Sequence, residues 1–303
     1  MKLSQGADLS LLITGGKGFV GRALVERLGD QPVRLATRYD SADWHAALIG
    51  ITTVVHLAAR VHVMHDTAAD PLTAFRAVNV EGTLRLARES ATAGVKRFVF
   101  VSSVKVNGES TLPDVPFSAD DIPAPLDNYG VSKMEAEQGL RGIALKTGME
   151  VVIIRPPLVY GPGVKANFAA MMRWLRRGVP LPLGAIHNQR SLVALDNLVD
   201  LIVTCLTHPA AANQTFLVSD GEDVSTTELL RRMGQAMGYP ARLIPVPANW
   251  LKLAATMVGK EDVAQRLCSS LQVDIAKTRD LLGWRPPLSL DQGLKKAAED
   301  YGH

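Results

Sequence analysis

Tyr129 and Lys133 stand four residues apart in the run Tyr129-Gly130-Val131-Ser132-Lys133, a spacing that puts a phenol and an ammonium on one face of a helix. An ammonium next to a phenol stabilises the phenolate, so the tyrosine is expected to ionise below its ordinary pKa of about 10. A phenol so tuned is an acid or base useful near neutral pH. The same spacing also fits two exposed residues on a solvated helix face, so the pair needs company. Ser102-Ser103 ends an apolar run upstream and places a hydroxyl where it could hydrogen-bond an oxygen undergoing reaction. A second constellation is Thr14-Gly15-Gly16-Lys17-Gly18-Phe19-Val20-Gly21. Gly15, Gly18 and Gly21 permit, in turn, a sharp bend, close approach of backbone to a pyrophosphate, and tight packing of helix on strand. The N–H groups opening the following helix then face the phosphates. Without a strand before it and a helix after it, the same triplet would be an ordinary tight turn.

The surrounding chain supplies those elements. Short apolar runs at Leu9–Thr14, Val33–Ala36, Thr53–Leu57, Arg97–Ser102 and Val151–Arg155 read as strands buried on both faces of a parallel sheet. Between them, Val20, Leu24 and Leu28 mark one helical face within 18–28, and Phe75, Val78, Leu84 and Leu86 another within 72–93. Asp127 or Asn128 would cap the helix carrying Tyr129 and Lys133. Strand–helix alternation predicts a doubly wound α/β domain with right-handed crossovers. Beyond about residue 160, prolines and glycines break the chain into loops and one short basic helix. Helical stretches at 196–206, 226–237 and 250–271 follow, which predicts a smaller, less regular C-terminal domain. The expected division is 1–160, with a returning segment near 190–210, and 161–303.

The end of the second strand bears on the cofactor. An NAD site usually places an acid there to accept from the ribose 2′-hydroxyl, whereas an arginine can pair with the 2′-phosphate of NADP. This chain has Thr37-Arg38, with Asp40 two residues on. Arg38 favours NADP(H), and Asp40 keeps NAD(H) open.

Composition sets outer limits. With 303 residues, 47% hydrophobic and 21% charged, the chain can bury a sizeable core, and a net charge of +3 without a basic run argues against nucleic acid as partner. Two distant cysteines, Cys205 and Cys268, predict neither a disulfide framework nor a metal site, and suit a reducing cytoplasm. The apolar stretches at 198–206 and 251–258 are too short to span a bilayer, although attachment to a membrane surface stays open. His62 and His65 are better read as loop or substrate-contacting residues than as metal ligands. Arg173, Arg176 and Arg177 read as a solvated helix face.

Taken together, Thr14–Gly21, His56-Leu57-Ala58-Ala59, Asn79-Val80-Glu81-Gly82-Thr83, Ser102-Ser103, Tyr129 to Lys133, Arg155-Pro156 with Val159 to Gly163, Arg190 with Asp196, and Leu282 to Pro286 resemble the extended short-chain dehydrogenase/reductases of the nucleotide-sugar epimerase/dehydratase group. The resemblance runs nearly end to end. It implies a Rossmann-like sheet with a smaller mixed substrate domain, and a triad of Ser103, Tyr129 and Lys133. It places Gly15, Lys17, Gly18, Phe19, Val20, Gly21, Arg38, Leu57, Ala58, Ala59, Asn79, Tyr129, Lys133 and Pro156 along the cofactor. It also implies a UDP-sugar held by Ser103, Lys105, Asn167, Arg190 and Arg266, and a homodimer.

Departures from the group's pattern narrow the chemistry. The acid that usually opens the third strand is replaced by Thr52-Thr53, and the Asp-Glu pair of the 4,6-dehydratases by Val104-Lys105. Asn107 stands where a tyrosine is common, and Arg190 is followed by Ser191 instead of an acid. These variants resemble the branch that reduces UDP-4-keto-6-deoxy sugars, including UDP-N-acetylquinovosamine-forming reductases of surface-polysaccharide synthesis. The leading expectation is therefore an NADPH-dependent 4-ketoreductase. A UDP-sugar 4-epimerase is the alternative, and a non-catalytic dinucleotide-binding subunit a third reading from another class.

Overall fold

The computed structural model describes residues 9–36, 43–61, 70–112, 114–257 and 259–301. Arg38 and Asp40, and His62 and His65, lie outside the described residues. The first apolar runs become β1 (Leu11–Thr14), β2 (Val33–Ala36), β3 (Thr53–His56), β4 (Arg97–Val101) and β5 (Glu150–Arg155). With β8 (Thr215–Leu217) they form a six-stranded sheet ordered β2-β1-β3-β4-β5-β8, parallel throughout. The order reverses beside β1, and the loops leaving the carboxyl ends of β1, β3 and β4 gather at that switch point.

Alternating residues of each strand feed different layers, as a pleat requires. Leu11, Ile13, Val55, Val99, Val152 and Ile154 pack on one face with α1 (Phe19–Leu28) and α7 (Leu195–Thr207). Leu12, Val54, Phe98, Phe100, Val151 and Ile153 pack on the other with α2 (Trp44–Leu48), α4 (Thr83–Thr92) and α5 (Asn128–Thr147). The large sheet thus takes β8 and its covering helix α7 from the C-terminal half of the chain.

A second core surrounds a three-stranded sheet, in which β6 (Leu158–Tyr160) pairs parallel with β7 (Arg190–Ala194), and β7 antiparallel with β9 (Asp223–Val224). Tyr160, Phe168, Met172, Leu192, Leu230 and Leu294 fill it, from these strands and from α6 (Ala166–Arg176), α8 (Thr226–Met237) and α12 (Leu290–Tyr301). The run at 250–271 is not one helix. It divides into α9 (Ala248–Met257) and α10 (Glu261–Cys268), between which Gly259 takes φ +65°, a left-handed turn that no continuous helix can pass through. Helix α3 is Pro71–Arg76, and α11 (Ala276–Leu282) packs against β8.

Candidate active site

The glycine turn is tighter than its spacing required. Gly15 sits at φ +69°, and a Cβ there would stand 2.8 Å from the Ala58 nitrogen and 2.9 Å from the Leu57 carbonyl carbon. A Cβ on Gly21 would collide with the Gly15 oxygen, and Gly18 N donates to that same oxygen at 2.9 Å. Gly18 caps α1 with no side chain, so the first N–H groups of that helix are left for an anion. Phe19 and Val20 pack against the core beneath the turn, and Lys17 projects to solvent. Leu57 N donates to the Thr14 carbonyl at 3.2 Å and Ala58 N to Thr14 Oγ1 at 3.3 Å, which closes the wall opposite. A cradle that any Cβ would fill, opened by free helix N–H groups, fits the pyrophosphate of a dinucleotide.

Behind that wall His56 is buried, with Nδ1 2.7 Å from Thr14 Oγ1 and Nε2 2.9 Å from Thr83 Oγ1. Burial and the nearby Lys133 push its pKa down to about 3, so it is a neutral clasp between β1, β3 and α4. Asn79 lies in a π-helical turn, Ala77–Gly82, that interrupts the expected helix between α3 (Pro71–Arg76) and α4. A π-turn inserts a residue and re-aims the side chains around it. The Asn79 amide accepts from Arg60 N at 2.8 Å, and donates to Arg60 O and to Ser132 Oγ at 3.0 Å each. It therefore ties the loop after β3 to the helix that carries the tyrosine.

Asp127 is the N-cap of that helix and accepts from Gly130 N at 2.7 Å. Gly130 has no room for a side chain, since a Cβ would stand 2.8 Å from the Lys105 carbonyl oxygen. The loop after β4 is thereby pressed against the start of α5. Ser103 is the first residue of that loop to turn, its Oγ accepting from Lys105 N at 3.2 Å, and Val104 N donates to the Pro156 carbonyl at 3.0 Å. Lys105 Nζ is held between the carboxylates of Asp127 and Glu109.

Tyr129 and Lys133 do share a face of α5, but their electrostatics differ from the sequence expectation. The Tyr129 ring meets the buried Phe75 edge-on at 6.2 Å. Burial, and then the Asp127 carboxylate, push its phenol up to about 12. Lys133 is 1% exposed, donates to the Val101 carbonyl at 2.7 Å, and lies 3.9 Å from the centre of the Phe100 ring. Burial brings its pKa down to about 7, against the pull of Glu137. Desolvation is the largest cause of both shifts, with the Asp127 carboxylate adding to the first and Glu137 opposing the second. The resting tyrosine is a protonated acid, and the lysine one turn on is only partly charged at neutral pH.

A polar group that the sequence reading passed over lies beneath. Glu137, one turn past Lys133, accepts from Ser102 Oγ at 2.6 Å and is gripped by Arg155 through Nε at 3.0 Å and Nη2 at 2.6 Å. Arg155 Nη1 also donates to Asn107 Oδ1 at 3.0 Å. All four side chains are buried. The signal was present: Glu137 follows Tyr129 and Lys133 at the same four-residue interval.

On the C-terminal side, Arg190 Nη1 donates to the carbonyls of Arg266 and Ser269 at 2.7 and 3.1 Å, and burial lowers its pKa. The Arg266 and Asn167 side chains are exposed. Segment 269–273 stitches these residues to the loop after β4: Thr111 N bonds Ser270 O, Phe117 N bonds Gln272 O, and Ser191 N bonds Leu271 O, at 2.8–2.9 Å. The chain thus brings Arg190 and Arg266 to the loop that begins at Ser103. Among the described residues no such bond links Asn167 to this cluster. Both cysteines are free. Among the described residues no cluster of three or more His, Cys, Asp or Glu could hold a metal, and no helix is long and apolar enough to cross a membrane.

Residues 11–219 match the NAD dependent epimerase/dehydratase family. The chain belongs to that family. It is an NAD(P)-dependent enzyme of the extended short-chain dehydrogenase/reductase type. The chain is 50% identical to a UDP-glucose 4-epimerase of Vibrio cholerae, an alignment covering 96% of this chain and 95% of that protein. Its fold matches a short-chain dehydrogenase/reductase superfamily protein from Agrobacterium tumefaciens with bound NAD (TM-score 0.77, 22% identity, 97% of each chain). It matches equally well RMD from Pseudomonas aeruginosa complexed with NADPH (TM-score 0.77, 22% identity, 97% of this chain and all of that one). The Rossmann-like sheet with a smaller mixed sheet is the fold expected from sequence. The preference for 4-ketoreduction over epimerisation is where the comparison diverges, because the 50% identical relative carries the alternative activity.

Proposed function

We propose that this enzyme is a UDP-sugar 4-epimerase, inverting a hexose carbon by transient oxidation. Half identity across nearly the whole chain to a UDP-glucose 4-epimerase carries the reading, and Ser103 after β4 with Tyr129 and Lys133 on one face of α5 supplies its chemical support. A bound nicotinamide dinucleotide would supply the hydride acceptor and, when oxidised, a positive charge that eases ionisation of the phenol. The residues that would hold it are Gly15 to Gly21, Leu57, Ala58, Ala59, Asn79 and Pro156, with Lys133 at its ribose. Arg38 remains the residue that would favour NADP, with NAD the other candidate. Tyr129 removes the proton from the sugar hydroxyl and later returns it, and Ser103 hydrogen-bonds that same oxygen. Arg190 and Arg266 offer positive charge to the diphosphate of the UDP-sugar, with Asn167 and Lys105 completing the substrate contacts. The dinucleotide unit is then the large sheet with its covering helices, to which α7 and β8 return from the C-terminal half, and the substrate unit is the rest of the chain beyond β5.

One observation favours a second reading, the reduction of a UDP-4-keto-6-deoxy sugar. A phenol held at about 12 rests protonated, as a reductase needs for the alkoxide it creates, whereas an epimerase must first ionise it. The two readings separate in one assay. Purified protein is incubated with UDP-glucose or UDP-N-acetylglucosamine, and separately with reduced nicotinamide cofactor and a UDP-4-keto sugar. The epimerase reading expects C4 epimers at equilibrium with no net change in cofactor. Stoichiometric loss of reduced cofactor with the keto sugar, and no epimer in the first reaction, would replace it with the reductase.

A further inference from the structure

Helix α9 has two apolar faces and only one of them is used. Ala248 and Leu251 pack against the second core, and Ala255, one turn on, is half-buried on the same side. Trp250, Leu253 and Met257, with Ala254 among them, point the other way. They are 68%, 58% and 81% exposed. Asn249, Lys252 and Thr256 form a polar strip between the faces. Exposed tryptophan and methionine on adjacent turns are not the ordinary scatter of a soluble surface.

The surroundings continue this surface. Leu181 and Leu243 pair across a short ladder and point inward. Their neighbours Pro180, Pro182, Arg242 and Ile244 are exposed, and the chain then runs through Pro247 into the first turn of α9. Charge selects the occupant. Between Glu228 and Glu261 the sequence has no acidic residue and carries Arg231, Arg232, Arg242, Lys252 and Lys260. Arg231 and Arg232 are paired with carboxylates, whereas Arg242, Lys252 and Lys260 are exposed, Lys252 on the polar strip that borders the packed face of α9. An apolar stripe with an interfacial tryptophan and basic flanks matches a surface whose interior is hydrocarbon and whose headgroups are anionic. A helix of 10 residues cannot span such a layer, but can lie in its interface.

We propose that the outer face of α9 docks this enzyme on an anionic lipid bilayer, with Trp250, Leu253 and Met257 entering the headgroup boundary and Arg242, Lys252 and Lys260 meeting lipid phosphates. Contact of α9 with α10, whose Arg266 carbonyl holds Arg190, sets the candidate diphosphate site close to that surface. The inference does not depend on which reaction the triad performs.

The test is sedimentation of the full chain with vesicles of phosphatidylcholine containing roughly one-third phosphatidylglycerol. The protein is expected to pellet with these vesicles and Trp250 emission to move to shorter wavelength, a shift absent in Trp250→Phe. Replacing Trp250, Leu253 and Met257 together by Ser should weaken partitioning by about tenfold or more while leaving the unfolding temperature unchanged. Lys252→Glu should weaken it on the anionic vesicles by a few-fold, on the order of the roughly 1 kcal/mol attributed to each basic residue near such a surface. The proposal is overturned if the wild type stays in the supernatant, or if the triple variant pellets as the wild type does. It is also overturned if light scattering shows a wild-type dimer that the triple variant dissolves, because a second copy would then cover the face.

Discussion

Tyr129 owes its high pKa to two neighbours that can be separated. Phe75 keeps water from the ring, and the Asp127 carboxylate opposes a nearby phenolate. Replacing Asp127 with Asn removes the charge and keeps a good helix cap, so the phenol should ionise more readily. We expect the rising limb of the pH–rate profile to move to lower pH in Asp127→Asn, and an unmoved limb would assign it to another group. Tyr129→Phe should cost roughly 10²–10⁴ in kcat, the span of one acid–base group, with dinucleotide affinity nearly intact by titration calorimetry. A dinucleotide-binding subunit without catalysis would show no such loss. Lys133 carries a testable cost of its own. Its pKa falls from 10.5 to about 7 on folding, so between those values the unfolded chain binds more protons and stability rises with pH. Lys133→Met should therefore be inactive yet unfold several degrees higher than the wild type near pH 7. That advantage should shrink as pH approaches 10.5, and equal melting curves at all pH would contradict the burial argument.

Elements hold these side chains in place, and here the sequence was read unevenly. Strand limits came within a residue or two because runs such as Leu11–Thr14 are apolar on both faces and end in glycine or serine. Periodicity could not show the π-turn around Asn79, since Phe75, Val78, Leu84 and Leu86 fit an ordinary helix equally well. Nor could it divide 250–271, where the apolar pattern runs on past Gly259. The Tyr129–Lys133 spacing was legible, but the sign of its electrostatics was not, because desolvation depends on Phe75 and Phe100 arriving from elsewhere in the chain. Glu137 was missed for the same reason: its partners Ser102, Arg155 and Asn107 converge only in three dimensions. Glu137→Gln would leave Arg155 buried without a counter-charge, and we expect a loss of about 3–5 kcal/mol in denaturant unfolding. A loss below about 1 kcal/mol, the worth of a surface pair, would mean the network is solvated.

At the scale of the whole molecule, the parallel sheet carries the glycine turn and α5 with Tyr129 and Lys133, and Arg190 and Arg266 come from the elements around the second core. Segment 269–273 holds the two together through the loop that begins at Ser103. This layout suits a reaction whose substrate is anchored by a diphosphate while one sugar carbon meets Tyr129. In epimerisation by transient oxidation the hydrogen on C4 is removed and returned within one active site. The most direct measurement is therefore the fate of deuterium placed at C4 of UDP-glucose or UDP-N-acetylglucosamine and incubated with the enzyme in ordinary water. Epimerisation by this route gives the C4 epimer with deuterium retained at C4 and no net oxidation or reduction of cofactor. Loss of the label to solvent, or product formed only with stoichiometric consumption of reduced cofactor, would contradict it.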